Sequence, residues 1–256
     1  MKNAAQQILD ALKAAGTPEK AAVLQRFFKT GPGEYGEGDR FLGVTVPATR
    51  AVAKAHADAP FAELEKLLEN PFHEARLCAL LVLVERFRAA KRDARERRRV
   101  FEFYLAHARR CDNWDLVDLT APKIVGEFLA ESPDAPEADP REREKLLFRL
   151  AESDCLWERR IAVVSALAFI RRGDFSITFR LAEKLATDAH DLMRKANGWM
   201  LREVGKRSRA ALTAFLETRA ATLPRTTLRY AIEHFSPAER EDFLARKTLA
   251  RAETAA

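Results

Sequence analysis

Apolar residues recur along most of the chain at the three- and four-residue spacing of amphipathic helices. Residues 77–84 are apolar on every side, which is typical of a helix buried between neighbouring layers. The pattern predicts successive helix pairs, each joined by a short turn. These are 61–68 with 74–87, 95–110 with 114–129, 141–152 with 156–170, 175–187 with 191–204, and 208–220 with 226–235, followed by a last helix at 237–246.

The second helices of these pairs recur at a nearly constant interval. Taking Arg76, Trp114, Arg160, Lys195 and Arg229 as rough equivalents, the steps are 38, 46, 35 and 34 residues. They scatter around the period of roughly 40–47 residues that HEAT repeats have. The sequence therefore predicts an all-α fold, an α-solenoid of HEAT-like helical pairs. We expect one repeat domain over residues 1–256, curved, with the second helices lining a basic concave face.

Three stretches are expected to lie outside this repeat. A Gly-rich loop and an apolar extended segment cover residues 31–46, an acidic and proline-rich inter-repeat loop covers 131–140, and a C-terminal tail covers 247–256. The Gly-rich loop lacks a following Gly-Lys-Ser/Thr. We therefore interpret it as a surface connection rather than a phosphate-binding loop.

Composition and charge narrow the possible partners. No apolar run approaches the roughly 18 residues that cross a membrane, and the first residues lack a secretory signal pattern. Three scattered cysteines are typical of a reduced, cytoplasmic protein. Residues 155–210 hold 12 basic and 6 acidic side chains, and this equals the whole net charge of +6. Such an excess suits a polyanion, and a solvated basic face without a partner is the alternative.

The stretch from Cys111 to Lys123 holds the first candidate residues. Asn113 is a suitable N-cap and Asp115 complements the helix dipole, so both have structural explanations. Asp118 lies four residues after Trp114, so both side chains share one helix face, and no cap explains this acid. An exposed helical aspartate without a function is the alternative reading.

The other two tryptophans lie beside basic residues. We expect Trp157 to be a packing residue, and the apolar stripe of its helix leaves either Arg159 or Arg160 free to face the groove. Trp199 shares one helical stripe with three cations, Lys195, Arg202 and Lys206. This mixture suits a phosphate backbone and a stacking surface, and a surface tryptophan packed by cations is the alternative.

Several chemistries lack their motifs. There is no Cys-x-x-Cys, no His-Glu-x-x-His, no Gly-x-Ser-x-Gly, and no Rossmann or Walker fingerprint. We therefore expect neither a metal site nor a cofactor.

The sequence from Asn113 to Asp118 resembles the signature of the AlkD-like DNA alkylation repair family. The resemblance extends to Phe41-Leu-Gly-Val, to Trp157-x-x-Arg160 and to Lys195-x-x-Gly-Trp199-x-Leu-Arg202-Glu, and it covers residues from about 20 to 235. It implies a HEAT-like helical solenoid. It also implies a monofunctional glycosylase that releases cationic N3- and N7-alkylated purines, such as 3-methyladenine and 7-methylguanine, without base flipping.

The resemblance also assigns roles to individual residues. Trp114 and Trp199 match the aromatic walls of the family's site, Asp118 matches its catalytic acid, and Arg160 matches an arginine that contacts phosphate. The other matches, in the DNA-binding groove, are Lys195, Arg202 and Lys206. The implied partner is double-stranded DNA with alkylated bases, bound by a cytoplasmic, nucleoid-associated monomer. A non-catalytic HEAT-repeat DNA-binding protein and a protein-interaction scaffold are the alternatives.

Overall fold

The computed structural model describes the backbone of residues 3–131 and 140–255 and the side chains of residues 3–130 and 141–246. Its helices cluster in two compact units, residues 1–128 and 129–256, and each is described by itself. The helices of the first unit are α1 (Ala4–Ala15), α2 (Pro18–Phe27), α3 (Val46–Ala55), α4 (Phe61–Leu68), α5 (His73–Ala89), α6 (Ala94–Ala106) and α7 (Trp114–Ala121).

The second unit continues the same alternation of helices. After α8 (Glu127–Glu131), which begins at the end of the first unit, it contains α9 (Pro140–Ala151), α10 (Leu156–Ser165), α11 (Leu167–Arg171), α12 (Ser176–Lys184), α13 (Asp191–Arg207), α14 (Arg209–Arg219), α15 (Arg225–Ala231) and α16 (Pro237–Ala255). The predicted all-α, solenoid-like fold is confirmed. Among the described residues, no helix combines the length and apolarity that a membrane span requires.

Each unit is built around one helix of 17 residues. Helix α5 packs against α1, α3, α4, α6 and α7, and α13 packs against α10, α11, α12, α14 and α15. Residues 77–84 of α5 are all buried, as their apolar sequence predicts. Neighbours cover α5 on all sides along residues 77–84, whereas α13 keeps one partly exposed polar face.

Side-chain caps begin several of the helices. The side chains of Asn3, Thr17, Thr45, Asp93 and Ser208 each accept a hydrogen bond from a backbone N–H in the first turn of the following helix. Each cap satisfies a donor that the helix itself leaves unpaired. These positions are local in sequence, which is why the helix starts could be predicted.

Two predicted helices are interrupted in the structure. The stretch 114–129 is divided by a π-helical turn, Pro122–Gly126, because Pro122 has no N–H to donate to the preceding turn. The stretch 156–170 is divided at Ala166 into α10 and α11. At the chain's end, α16 continues to Ala255, where we predicted a tail from residue 247, since no Pro or Gly stops it.

Two expectations about chain organisation are left as predictions. The predicted inter-repeat loop at 131–140 falls, apart from its ends, outside the described residues. That residues 1–256 form one continuous repeat domain also stays a prediction.

Gly198 fixes the distance between α13 and α15. A Cβ at this position would lie 2.4 Å from Tyr230 Cβ and 2.6 Å from the carbonyl oxygen of Thr227. We predict that Gly198→Ala destabilises the protein by ~1–3 kcal/mol, because the methyl group would force two packed backbones apart. Urea unfolding followed by circular dichroism measures this change as a lower midpoint at unchanged slope.

Gly205 of the same helix provides the matched control. A Cβ there would meet only the end of the Leu212 side chain, at 2.6 Å from Cδ2, and that side chain can move. We expect Gly205→Ala to be neutral or slightly stabilising, since alanine has the higher helix propensity. Equal effects at the two positions would contradict the close packing inferred for Gly198.

Candidate functional site

Trp114 and Asp118 lie at the start of α7, one turn apart. The Asn113 side chain accepts a hydrogen bond of 2.8 Å from the backbone N–H of Trp114 and so begins the helix. Both Trp114 and Asp118 are half-buried, whereas Leu116 and Val117 between them are fully buried. The helix therefore places the indole and the carboxylate together on its partly exposed side, as the four-residue spacing predicts.

An aromatic cluster formed by Phe27, Phe28, Phe41, His73 and Trp114 fixes the indole. Trp114 stacks on buried Phe28 with ring centroids 5.3 Å apart and planes at 22°. Phe27, which is 60% exposed, meets the indole edge-on at 6.1 Å. An exposed Phe beside a half-buried Trp gives this part of the first unit an apolar, aromatic surface.

Beneath the cluster lies a buried polar network formed by Asp39, His73, Arg76, Asn113 and Asp115. Asp39 accepts hydrogen bonds from His73 Nδ1 at 3.0 Å, from Asn113 Nδ2 at 3.0 Å and from Arg76. His73 Nε2 lies 2.9 Å from Asp115 Oδ2. Five polar side chains, none more than 7% exposed, thus connect the loop before α3 to the first turns of α5 and α7.

His73 and Asp39 of this network are charged, although burial by itself favours the neutral form of each side chain. Burial lowers the pKa of His73, but the charges and hydrogen bonds of Asp115 and Asp39 outweigh it and raise the pKa from 6.5 to about 9. Burial likewise raises the pKa of Asp39, and His73 and Arg76 together bring it below its ordinary value. At neutral pH, His73 is therefore an imidazolium that donates from both ring nitrogens.

The segment from Phe41 to Val44, which carries part of the family resemblance, is held by α5. The buried carboxylate of Glu74 accepts the backbone N–H groups of Leu42, Gly43 and Val44 at 2.8–3.0 Å. Gly43 has φ +82°, and a Cβ there would lie 2.1 Å from the carbonyl oxygen of Thr17. The Phe41–Val44 segment therefore has a structural function, because its backbone is held between the start of α2 and the start of α5.

In the second unit, Trp199 is half-buried on α13. Its indole Nε1–H donates a hydrogen bond of 3.1 Å to Glu203 Oε1, one turn further along the helix. Gly198, the residue before it, is in the close contact with α15 described above. Both contacts fix the backbone and the ring of Trp199.

The three cations of the same stripe are each paired with an acid. Lys195 Nζ lies 2.7 Å from Asp191, Lys206 Nζ lies 2.7 Å from Glu203, and Arg202 pairs with Glu233. These acids lower the net positive charge that the sequence pattern alone predicts for this face. Ion pairs at the surface are weak, because water screens their charges and both side chains lose freedom in forming them.

Arg159 and Arg160 are neighbours on α10. Arg160 is 5% exposed and donates to the carbonyl oxygen of Leu192 at 2.6 Å, while Arg159 pairs with Asp188 at 2.8 Å. Both arginines are therefore held by residues of the turn before α13 and of its first turn, and which of them faces the groove stays a prediction. Trp157 is 8% exposed, so its interpretation as a packing residue is confirmed.

The candidate residues are divided between the two units. The first unit contains Trp114 and Asp118 on one helix. The second unit contains Trp199 on one helix with three basic residues, Lys195, Arg202 and Lys206. That all of them line one surface stays a prediction. In the described part of the chain, no three His, Cys, Asp or Glu side chains are grouped so that they could hold a metal ion.

Comparison with known families identifies the family of the chain. The family model described as DNA alkylation repair enzyme matches residues 8–235. The chain belongs to this family. Its role is therefore in DNA repair, and the resemblance in the sequence is confirmed.

The fold agrees with a solved structure of the same kind. A protein described as "Predicted DNA alkylation repair enzyme from Enterococcus faecalis" is similar with a TM-score of 0.64 and 17% identity, over 87% of this chain and 97% of that chain. At this identity the likeness concerns the fold. A comparison with curated proteins gives no significant match.

Sequence reasoning missed the residues that support Trp114. Phe28, His73, Arg76 and Asp39 lie far from α7 in the sequence, and spacing along the chain carries no signal that they meet. Phe27 could not be distinguished from a core residue, because its helix has apolar residues on more than one side.

Proposed function

We propose that this DNA alkylation repair enzyme is a monofunctional DNA glycosylase for cationic N3- and N7-alkylated purines. The observation that carries the proposal is the pairing of Trp114 and Asp118 on one partly exposed side of α7, with the indole fixed on Phe28. Family membership supports it. The substrates we propose are 3-methyladenine and 7-methylguanine in double-stranded DNA.

The proposed reaction breaks the bond between C1′ of the sugar and N9 of the alkylated purine. The bond's electron pair goes to the base and neutralises its positive charge, so the base needs no proton to leave. The sugar becomes an oxocarbenium-like cation, which the Asp118 carboxylate stabilises by its negative charge. Water then forms the new bond to C1′ and releases a proton, and Asp118 orients this water.

Aromatic faces suit the same transition state. The faces of indole rings carry partial negative charge and attract a neighbouring cation, here the sugar. We propose Trp114 and Trp199 as these faces, with Phe27 extending the surface beside Trp114. Since the sugar is stabilised from the protein surface, the base is not flipped into a pocket.

The basic residues of the second unit are proposed to contact the DNA backbone. Lys195, Arg202 and Lys206 would exchange their acidic partners for phosphates, which makes binding sensitive to salt. The proposed phosphate contact of Arg160 rests on the family resemblance, since its side chain is 5% exposed and donates to Leu192 beside the first turn of α13.

We expect the wild-type protein to release 3-methyladenine and 7-methylguanine from methylated duplex DNA, measured by chromatography of the freed bases against the spontaneous rate. The Lys195→Glu/Arg202→Glu variant should lose DNA affinity at low salt because each change reverses a charge. A matched variant, Arg240→Glu/Arg246→Glu, alters α16 instead and controls for net charge.

The outcomes separate the three candidate functions. Salt-sensitive DNA binding without base release would favour a non-catalytic DNA-binding protein. An unchanged affinity in Lys195→Glu/Arg202→Glu, together with no release by the wild type, would favour a protein-interaction scaffold.

A further inference from the structure

His73 lies at the centre of the contacts that support the proposed site. Its ring is 2% exposed and packs against both Phe41, at 4.7 Å with planes at 24°, and Phe28, at 4.9 Å, which are themselves stacked 5.1 Å apart. Nδ1 meets Asp39 at 3.0 Å and Nε2 meets Asp115 at 2.9 Å. All the hydrogen-bonding capacity of the ring is therefore used between two carboxylates.

Both of those connections lead to Trp114. Asp115 is the next residue along α7, so its bond to His73 fixes the first turn that carries Trp114 and Asp118. Phe28, the second connection, packs against His73 on one side and is stacked with the indole of Trp114. One ring therefore restrains the helix start through a hydrogen bond and the indole through aromatic stacking.

The network is more elaborate than stability requires. Replacing a buried set of ion pairs by apolar side chains of similar volume often leaves stability unchanged or increases it. Asp115 Oδ1 is a buried oxygen without a hydrogen-bond partner, and Oδ2 of the same carboxylate is bonded to His73. An arrangement with this cost is suited to holding the Asp115 carboxylate, and with it the first turn of α7, in one orientation.

We propose that His73 is a positioning residue for the glycosylase site, which holds the first turn of α7 and the Trp114 indole in the orientation that catalysis uses. This inference rests on the proposed function. His73 does not touch the DNA, since it is buried beneath Phe28 and Phe41.

The charge on His73 gives this role a pH dependence. An imidazolium donates to both Asp39 and Asp115, whereas a neutral ring donates to only one of them and turns a lone pair towards the other. The remaining charged group of the network is Arg76, whose pKa is raised by Asp112 and Asp39 against the effect of burial. Asp112 pairs with Arg76 from outside the network, and burial raises its pKa. Glu74 faces the backbone of residues 42–44.

The test compares wild type with His73→Gln, in which the amide N–H₂ replaces only one of the two donors. At a temperature where both are folded, we expect the maximal rate of base release to fall ~10–100-fold, as for a small misplacement of catalytic groups. DNA affinity should change less than about twofold, because the phosphate contacts are elsewhere. His107→Gln, at a half-buried His beside Glu65, is the matched control and should keep the wild-type rate.

The pH profile provides the readout that a purely structural role would not change. The wild-type rate should fall as the pH rises through about 9, where His73 loses its proton, and His73→Gln should lack this fall. Asp115→Asn keeps an acceptor for His73 Nε2 but removes one negative charge. The rate of base release by this variant should therefore begin to fall at a lower pH than that of the wild type. Identical profiles in all three proteins, or an unchanged rate in folded His73→Gln, would overturn the proposal.

A second measurement does not depend on catalysis. Replacing Trp157 and Trp199 by Phe leaves Trp114 as the single indole of the three in the chain. The fluorescence of Trp114 should change with pH near 9 in the protein that retains His73, and it should show no such change in the His73→Gln variant. A titration without base release by the wild type would reject the glycosylase and retain the positioning of Trp114, whereas release without a titration would reject the positioning alone.

Discussion

Asp118→Asn is expected to lower the rate of 7-methylguanine and 3-methyladenine release by ~10²–10³-fold, the loss seen when one electrostatic contact to a transition state is removed. The amide has the shape of the carboxylate but lacks the charge that opposes the developing sugar cation. Asp118 is half-buried on α7, so the change requires no repacking. Single-turnover release from methylated duplex DNA, with enzyme in excess, measures it.

Binding of DNA should separate this effect from a loss of affinity. We expect Asp118→Asn to bind undamaged duplex as tightly as the wild type or more tightly, because a negative charge near the phosphates is removed. Asp58→Asn makes the same change at an exposed turn between α3 and α4 and should keep the wild-type rate. Equal rates for Asp118→Asn and the wild type would remove Asp118 from the mechanism.

Asp39→Asn is expected to destabilise the protein by ~3–5 kcal/mol, the usual cost of removing one partner from a buried ion pair. Asp39 accepts hydrogen bonds from His73, Arg76 and Asn113 and is 7% exposed. The amide would direct an N–H₂ group at donors and leave the cations without compensation. Urea unfolding at pH 7, as a change in midpoint at constant slope, measures the loss.

Asp112→Asn is the matched control for that prediction. Asp112 also pairs with Arg76, at 2.9 Å, but its side chain is 35% exposed and burial raises its pKa above the ordinary value. We therefore expect Asp112→Asn to lower the free energy of unfolding by ~1 kcal/mol or less. A loss at Asp112 as large as that at Asp39 would contradict the central place assigned to Asp39.

The pH dependence of stability distinguishes the two variants further. The pKa of His73 is higher in the folded protein, so its contribution is fully present below about pH 6.5 and is lost as the pH rises to about 9. Asp39→Asn removes one of the charges that raise this pKa, and its stability should therefore change less over that range. Asp112→Asn should keep the wild-type dependence.

Much of the fold could be predicted because its signals are local. Caps such as Thr17 and Ser208, and the apolar residues 77–84, determine where helices begin and which one is buried, and neighbours in sequence settle both. The family signature from Asn113 to Asp118 is local too, since one helix turn places Trp114 and Asp118 side by side.

The burial of individual polar residues depends on distant parts of the chain. The stripe of α10 does not show which of Arg159 and Arg160 is covered, and it is Leu192, on another helix, that accepts a hydrogen bond from buried Arg160. The Gly-rich loop lies largely at the surface, as interpreted, but Asp39 within it is buried in the polar network. An isolated segment of sequence cannot show which of its polar groups a later helix will cover.

By itself, then, the sequence determined the helices, their order and the pair Trp114 and Asp118, because hydrogen bonds and side-chain spacing within one helix are fixed by neighbouring residues. Tertiary structure alone decided what holds that pair in place. His73 lies 34 residues after Asp39, and Asp115 lies 42 residues after His73. Only the packing of α5 against α7 brings these polar residues into one buried, charged network.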